Sequence, residues 1–166
     1  MFQTNEYVIY GRTGVCLVEG IEQNGGKDYY CLHALHQHCH IKAPVNGITP
    51  IRAVISREQA EALIDMIPSI IAKPMNSSNI RELNEKYKSL VSSRDCRDLL
   101  TLTMSIYAKK QQLQTAKKKL SSTDEAYWKE GEGLLFGELA VALGIRLDDV
   151  QNYIRQRLNE QNPIGE

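Results

Sequence analysis

The chain has 166 residues, 42% of them hydrophobic and 24% charged, which suits a folded globular protein of one medium domain or two small ones. No stretch approaches the roughly 18 consecutive apolar residues that a membrane helix needs, and the N-terminus lacks the pattern of a signal peptide. Four cysteines are too few for a disulfide scaffold. We therefore expect a cytoplasmic protein with free thiols and no membrane partner.

The net charge of zero conceals a segregation of charge along the chain. Residues 1–72 carry 5 basic and 7 acidic side chains (−2), residues 73–119 carry 11 and 4 (+7), and residues 120–166 carry 4 and 9 (−5). A basic block in a neutral protein creates a local field that attracts polyanions such as nucleic acid. A solvated helix face has the same composition, so charge alone leaves both interpretations open.

The N-terminal third has the pattern of short strands. Residues 7–10 and 15–18 are runs of β-branched and aromatic side chains, and residues 29–35 and 36–43 predict two more strands. Asn24, Gly25 and Gly26 predict a hairpin turn, because Asn and Gly tolerate positive φ. Five or so short strands with tight turns predict a small twisted barrel.

The rest of the chain has helical patterns. Ser56 and Gln59 have the spacing of a capping box, and Pro68 and Pro74 end or kink the helix that follows. Beyond a linker at residues 73–79, apolar spacing predicts helices over about 80–91 and 95–119. Ser122 and Glu125 predict a second capping box, ahead of a helix that ends before Gly144, and a last helix covers about 147–158. The predicted fold class is therefore α+β.

Motifs for catalysis are absent from the sequence. No Gly-rich phosphate loop and no Gly-x-Ser-x-Gly elbow occurs, so we predict no catalytic residues, no enzymatic activity and no cofactor. Residues 138–150 superficially resemble a helix-turn-helix. The second helix would begin with Asp148 and Asp149, which would repel DNA phosphates, so we favour a plain helical hairpin.

Residues 31–40 contain two cysteines and four histidines and form the one cluster that suggests a metal site. On a strand, His36, His38 and His40 would share a face, and imidazole suits zinc, copper or nickel. The cluster lacks Cys-x-x-Cys spacing and has no nearby carboxylate to orient the ligands. We therefore expect no bound metal, with Cys31 and Cys39 as small core residues, and keep a metal-binding protein as the least favoured alternative.

Four short segments carry a resemblance to a known family. Residues 2–10, Phe-Gln-Thr-Asn-Glu-Tyr-Val-Ile-Tyr, and residues 14–22, Gly-Val-Cys-Leu-Val-Glu-Gly-Ile-Glu, resemble the opening of the CarD/CdnL bacterial transcription regulators. The same module occurs in transcription-repair coupling factor. Further on, Leu120-Ser121 and residues 136–140, Phe-Gly-Glu-Leu-Ala, resemble the family's helical part, in the same order along the chain.

The resemblance implies three regions with separate roles. Residues 1–55 would be a Tudor-like β barrel that docks on the β subunit of RNA polymerase, residues 56–73 a connecting helix and linker, and residues 74–166 a helical DNA-contacting domain. Docking in this family adds a strand to a barrel edge. Carried onto this sequence, that edge is His40, Ile41, Lys42 and Ala43. Lys42 lies where the family has an Arg. Lysine keeps the positive charge but cannot form the bidentate hydrogen bonds of a guanidinium.

The helical domain would contact promoter DNA without reading its sequence, at the upstream edge of the transcription bubble. The family's minor-groove Trp falls here at Asn79 or Ile80, and Ile80 could act as an apolar wedge instead. The residues that we predict to contact DNA are Ile80, Arg81, Lys86, Lys88, Arg94, Arg97, Lys117 and Lys118.

The leading hypothesis is a regulator, monomeric or weakly dimeric, that binds polymerase and DNA and stabilises the open promoter complex. The alternative is a polymerase-binding adaptor whose helical half recruits a protein rather than DNA.

Overall fold

The computed structural model describes residues 1–93 and 95–161. Within these residues an antiparallel sheet at the N-terminus is followed by helices, which confirms the α+β class. None of the helices in the described part of the chain is long and apolar enough to cross a membrane.

The sheet contains five strands, and each neighbouring pair is antiparallel. The strand order is β4-β3-β2-β1-β5, so β4 and β5 form the two edges. The sheet is open in the described residues, and the closure that the predicted barrel requires is not confirmed. The strands are β1 (Tyr7–Tyr10), β2 (Gly14–Asn24), β3 (Lys27–Ala34), β4 (Cys39–Pro44) and β5 (Ile51–Ala53).

One turn of the sheet lies where the sequence predicted it, and a second turn occupies residues that were predicted to be strand. Gly25 and Gly26 have φ of 58° and 75° between β2 and β3, which confirms the predicted hairpin turn. The strand predicted over residues 36–43 starts too early. His38 has φ of 50°, a left-handed conformation outside the extended region that regular strand residues occupy, and β4 begins only at Cys39.

The helical part contains five α-helices in the described residues, with 3-10 turns over Ile67–Ser69 and Leu147–Asp149. A further 3-10 turn, Gly11–Thr13, lies between β1 and β2. The helices are α1 (Arg57–Met66), α2 (Ile80–Ser92), α3 (Cys96–Thr115), α4 (Ser122–Leu143) and α5 (Val150–Gln161).

The helix ends confirm most of the predicted caps. Ser56 and Gln59 form a capping box at α1, and Gly144 ends α4 with φ of 67°. The second predicted capping box is wrong by one residue, because the backbone N–H of Asp124 donates to the hydroxyl of Ser121 rather than to a cap at Ser122. Helix α3 ends at Thr115, before the predicted residue 119, since Lys117 is left-handed with φ of 57°.

Three apolar clusters hold the molecule together. The first lies on one face of the sheet and includes Val8, Val18 and Leu32. The second joins α1 to α3, α4 and α5, and the third joins α2 to α3. Helix α1 therefore packs into the helical core, although its sequence suggested a connecting segment. The three-region division of the chain stays a prediction.

Two ion pairs connect the sheet region to α4. Arg12, in the turn before β2, donates to Glu130 over 2.8 Å at both carboxylate oxygens. Arg52 of β5 donates to Glu138 over 2.6 and 2.7 Å. The first pair is partly exposed, whereas the side chain of Glu138 is only 2% exposed, so the second pair is the stronger constraint on how α4 lies against the sheet.

Candidate functional site

Strand β4 is an edge of the sheet and contains all four residues predicted to contact polymerase. It pairs with β3 on one side, and no other described strand pairs with its opposite side. His40 and Lys42 are exposed on one face, Ile41 is half-buried, and Ala43 is buried on the core face. An edge of this kind offers unpaired backbone N–H and C=O groups to an added strand.

Lys42 is held beside an acidic neighbour on the same face. Its ammonium lies 2.7 Å from the Glu22 carboxylate, and both side chains are more than half exposed. The hydrogen bond raises the pKa of Lys42 and lowers the pKa of Glu22. Exposed pairs of this kind are weak, so the contact orients Lys42 without preventing it from binding a partner's carboxylate.

The histidines of this region do not converge as the sequence pattern suggested. His36 and His38 lie in the turn between β3 and β4, so they do not share a strand face with His40. His36 contacts α4, where a Cβ on Gly137 would lie 2.5 Å from its ring. His40 instead lies across from His33 of β3 and beside Glu19 of β2.

Ile80 is the first residue of α2, and its side chain is 69% exposed. The side chain of Asn79 caps the helix by accepting from the N–H of Arg81 over 3.0 Å, which fixes where the helix begins. A large apolar side chain thus projects from the end of a helix without covering any core. This is the position at which the sequence comparison above expected an apolar wedge.

The predicted cations of α2 lie on two sides of the helix. Arg81 and Lys88 are seven residues apart, about two turns, and share one side. Lys86 lies about 140° around the axis from Arg81. There its ammonium is 4.0 Å from Glu82. Arg81 and Lys88 therefore share one side of α2, but exposed Glu85 lies about 40° from Arg81 on the same side, so this side carries both signs of charge.

The other predicted DNA contacts are spread along α3. Arg97 is exposed in the first turn of this 20-residue helix, whereas Lys117 and Lys118 are exposed just after its end. A helix of that length spans about 30 Å, so these residues are not brought together. Arg94 lies outside the described residues.

Sequence reasoning missed a buried polar network between the helices. The Asp124 carboxylate accepts from the Tyr87 hydroxyl over 2.7 Å, from the Ser121 hydroxyl over 2.9 Å and from the Lys109 ammonium over 3.1 Å. Burial favours the neutral acid, but these donors outweigh it and lower the pKa of Asp124. Lys109 therefore neutralises an internal charge, although the sequence counted it in the basic block.

Glu138 lies at the centre of a second buried polar network. The sequence had drawn attention to Glu138 only as part of the segment 136–140 that resembles the family. Besides Arg52, it accepts from the N–H of Ile55 over 3.1 Å and from the Cys96 thiol over 3.0 Å. Burial and the adjacent carboxylate both raise the pKa of the Cys96 thiol. This thiol stays protonated and donates to Glu138, so Cys96 is structural rather than reactive.

Comparison with known proteins identifies the N-terminal part of the chain. The family model of the CarD-like/TRCF RID domain matches residues 2–55, which contain all five strands. None of the curated proteins compared with the chain matches it. The match covers 54 of the 166 residues and confirms the resemblance noted at residues 2–10 and 14–22. The resemblance noted at residues 120–121 and 136–140 lies outside the matched part and stays a prediction.

Proposed function

We propose that this protein is a non-catalytic transcription regulator that binds the β subunit of RNA polymerase through its N-terminal sheet. The observation that carries the proposal is the family match over residues 2–55 together with the open edge of β4. A polymerase segment would add a sixth strand beside residues 40–43. Backbone hydrogen bonds would supply affinity, and Lys42 would supply a charge contact.

We further propose that the N-terminal sheet is the Tudor-like module of this family and that the protein works in the cytoplasm, as a monomer or weak dimer. The helical half would contact promoter DNA at the upstream edge of the bubble and slow its closure. Exposed Ile80 and the exposed cations Arg81 and Lys88, which share one side of α2 with Glu85, support this step. Arg94, Arg97, Lys117 and Lys118 stay predicted contacts.

Two weak contacts suffice for such a function because they are tethered. Once the sheet is bound to polymerase, the helical half is held near the promoter at a high effective concentration. Contacts to phosphates are independent of sequence, so the same protein would act at many promoters.

The test is a pull-down of purified core RNA polymerase by the full chain. We expect Lys42→Glu to weaken binding at least tenfold, because it places a carboxylate beside Glu22 on the docking edge. Lys27→Glu is the matched control, since it makes the same charge change at an exposed position at the start of β3, beside the hairpin turn. Failure of the unaltered chain to bind polymerase would refute the proposal.

An adaptor that recruits another protein through its helical half is the second candidate. It is favoured by the carboxylates of Glu82 and Glu85, which are exposed on α2, and by the pairing of Lys86 with Glu82. Footprinting of a promoter complex with and without the protein distinguishes the two. Protection of the upstream bubble edge supports DNA contact, and an unchanged footprint with retained polymerase binding supports the adaptor.

A further inference from the structure

Three potential metal ligands meet on the face of the sheet that points away from the apolar core. His33 of β3 and His40 of β4 are directly paired across the two strands. Glu19 of β2 joins them because the register of β2 against β3 shifts between Val18 and Gly20. A β-bulge of this kind redirects a side chain, and here it brings the carboxylate to the two imidazoles.

The distances between these groups fit a small divalent ion. His40 Nδ1 lies 3.1 Å from one Glu19 oxygen and His33 Nδ1 lies 3.5 Å from the other. The two imidazole rings are 4.8 Å apart between centroids, and the three ligand atoms all lie within 4.8 Å of one another. Ligands at the usual zinc distances are about 3.4 Å apart in a tetrahedral site, so small side-chain rotations would complete the coordination.

We propose that Glu19, His33 and His40 bind a divalent transition-metal ion of the zinc class. Two imidazoles and one carboxylate are a common ligand set for such ions, and they leave a fourth position for water. Nearby Lys42 does not oppose the ion, because its charge is compensated by Glu22 at 2.7 Å. The side chains of His33, Glu19 and His40 are 33%, 39% and 70% exposed, so the ion can enter from solvent.

The ion would hold three neighbouring strands together at the docking edge. Each ligand comes from a different strand, and His40 lies in the segment that we propose for polymerase contact. A ligand that binds only the folded sheet stabilises it by mass action. The site itself rests on this geometry and does not depend on polymerase binding.

The test is a calorimetric titration of the full chain with ZnCl2, after treatment with EDTA and dialysis. We expect one zinc per chain. His33→Ala, His40→Ala and Glu19→Gln should each weaken the affinity by about tenfold or more. Thermal melts without metal should show that the variants fold. Should either alanine variant fail to fold, Glu19→Gln, which preserves side-chain size, decides the outcome.

Two controls separate this site from other ligands in the same region. His38→Asn removes an imidazole from the adjacent turn while tolerating its left-handed backbone, and zinc affinity should not change. The double variant Cys31→Ser, Cys39→Ser removes the two half-buried thiols and should also retain full affinity. Zinc binding that survives all three ligand variants, or that is lost in the cysteine variant, would overturn the proposal, as would the absence of binding to the unaltered chain.

Discussion

Glu138 and Glu130 lie two turns apart on α4, and each pairs with an arginine of the sheet region. The Glu138–Arg52 pair is largely buried, and Glu138 accepts two further hydrogen bonds. The Glu130–Arg12 pair is partly exposed. Removing one partner of a buried pair leaves an uncompensated charge in the interior. The same truncation at a solvated site leaves a hydrated arginine.

We therefore expect Glu138→Ala to lower the free energy of unfolding by about 3 kcal/mol or more. Glu130→Ala should lower it by less than about 1 kcal/mol. Urea denaturation of the two variants and the unaltered chain measures both values. Equal losses would mean that the buried pair contributes no more than the exposed one.

The buried carboxylate of Asp124 should make the folded protein less stable in acid. Its pKa in the folded protein is lower than the ordinary value of 3.8, despite burial, because Tyr87, Lys109 and Ser121 donate to its charged form. A carboxyl with a lowered folded pKa contributes stability above its unfolded pKa and loses it as the pH falls through the folded value. Stability should therefore decline below about pH 4 as Asp124 becomes protonated.

The matching variant is Asp124→Asn. It should cost about 3 kcal/mol at pH 7, because Lys109 keeps a buried charge without its partner. Its stability should depend less on pH between 4 and 2 than that of the unaltered chain. Thermal melts across this range measure the difference, with exposed Glu125→Gln as the control. Parallel pH curves for Asp124→Asn and the unaltered chain would contradict this role.

At the scale of elements, α2 combines a buried stripe with an exposed apolar end. Leu83, Tyr87 and Val91 are buried at helical spacing, whereas Ile80 projects from the first turn. Since Ile80 covers no core, its substitution should leave stability nearly unchanged. It is therefore a clean position at which to test the proposed wedge.

We expect Ile80→Trp to lengthen the lifetime of an open promoter complex and Ile80→Ala to shorten it, because a larger apolar side chain separates base steps more effectively. Competitor-challenge measurements on a weak promoter give these lifetimes. Tyr107→Ala is the control, as it removes another exposed apolar group, 51% exposed, from α3. Lifetimes that do not respond to Ile80 would exclude it as the wedge.

At the scale of the whole molecule, the folded state is stabilised by contacts between the predicted connecting region, residues 56–73, and the helices that follow it. Ala60, Leu63 and Ile64 of α1 are buried against helices from the C-terminal half. A fragment of residues 1–73 would expose this face and lose Glu138 as a partner for Arg52. Truncation is therefore a poor way to separate the proposed polymerase and DNA contacts, and point variants are preferable.

We expect the 1–73 fragment to melt at least about 10 °C below the full chain, or without a cooperative transition, because burying about three apolar side chains is worth several kcal/mol. Circular dichroism follows the transition, and binding of a hydrophobic dye reports the exposed face of α1. A cooperative melt at the temperature of the full chain would instead make the N-terminal region an independent domain.

Local features were predictable because neighbouring residues decide them. The hairpin at Gly25 and Gly26, the capping box at Ser56 and the end of α4 at Gly144 each follow from backbone preferences within a few positions. The predicted boundaries that failed, at His38 and Lys117, required left-handed residues that are neither Gly nor Asn. Lysine rarely adopts this conformation and histidine adopts it in only a minority of cases, so residue type alone did not reveal these positions.

The sequence by itself determined the order of strands and helices, the segregation of charge and the resemblance of residues 2–10 and 14–22 to a known module, because these depend on residue type and spacing. Only the tertiary structure decided that α1 joins the helical core, that Lys109 neutralises Asp124 and that Glu19 reaches His33 and His40. These partners are brought together by sheet register and helix packing. Electrostatic and coordinative contacts depend on distances of a few ångströms, which spacing along the chain does not specify.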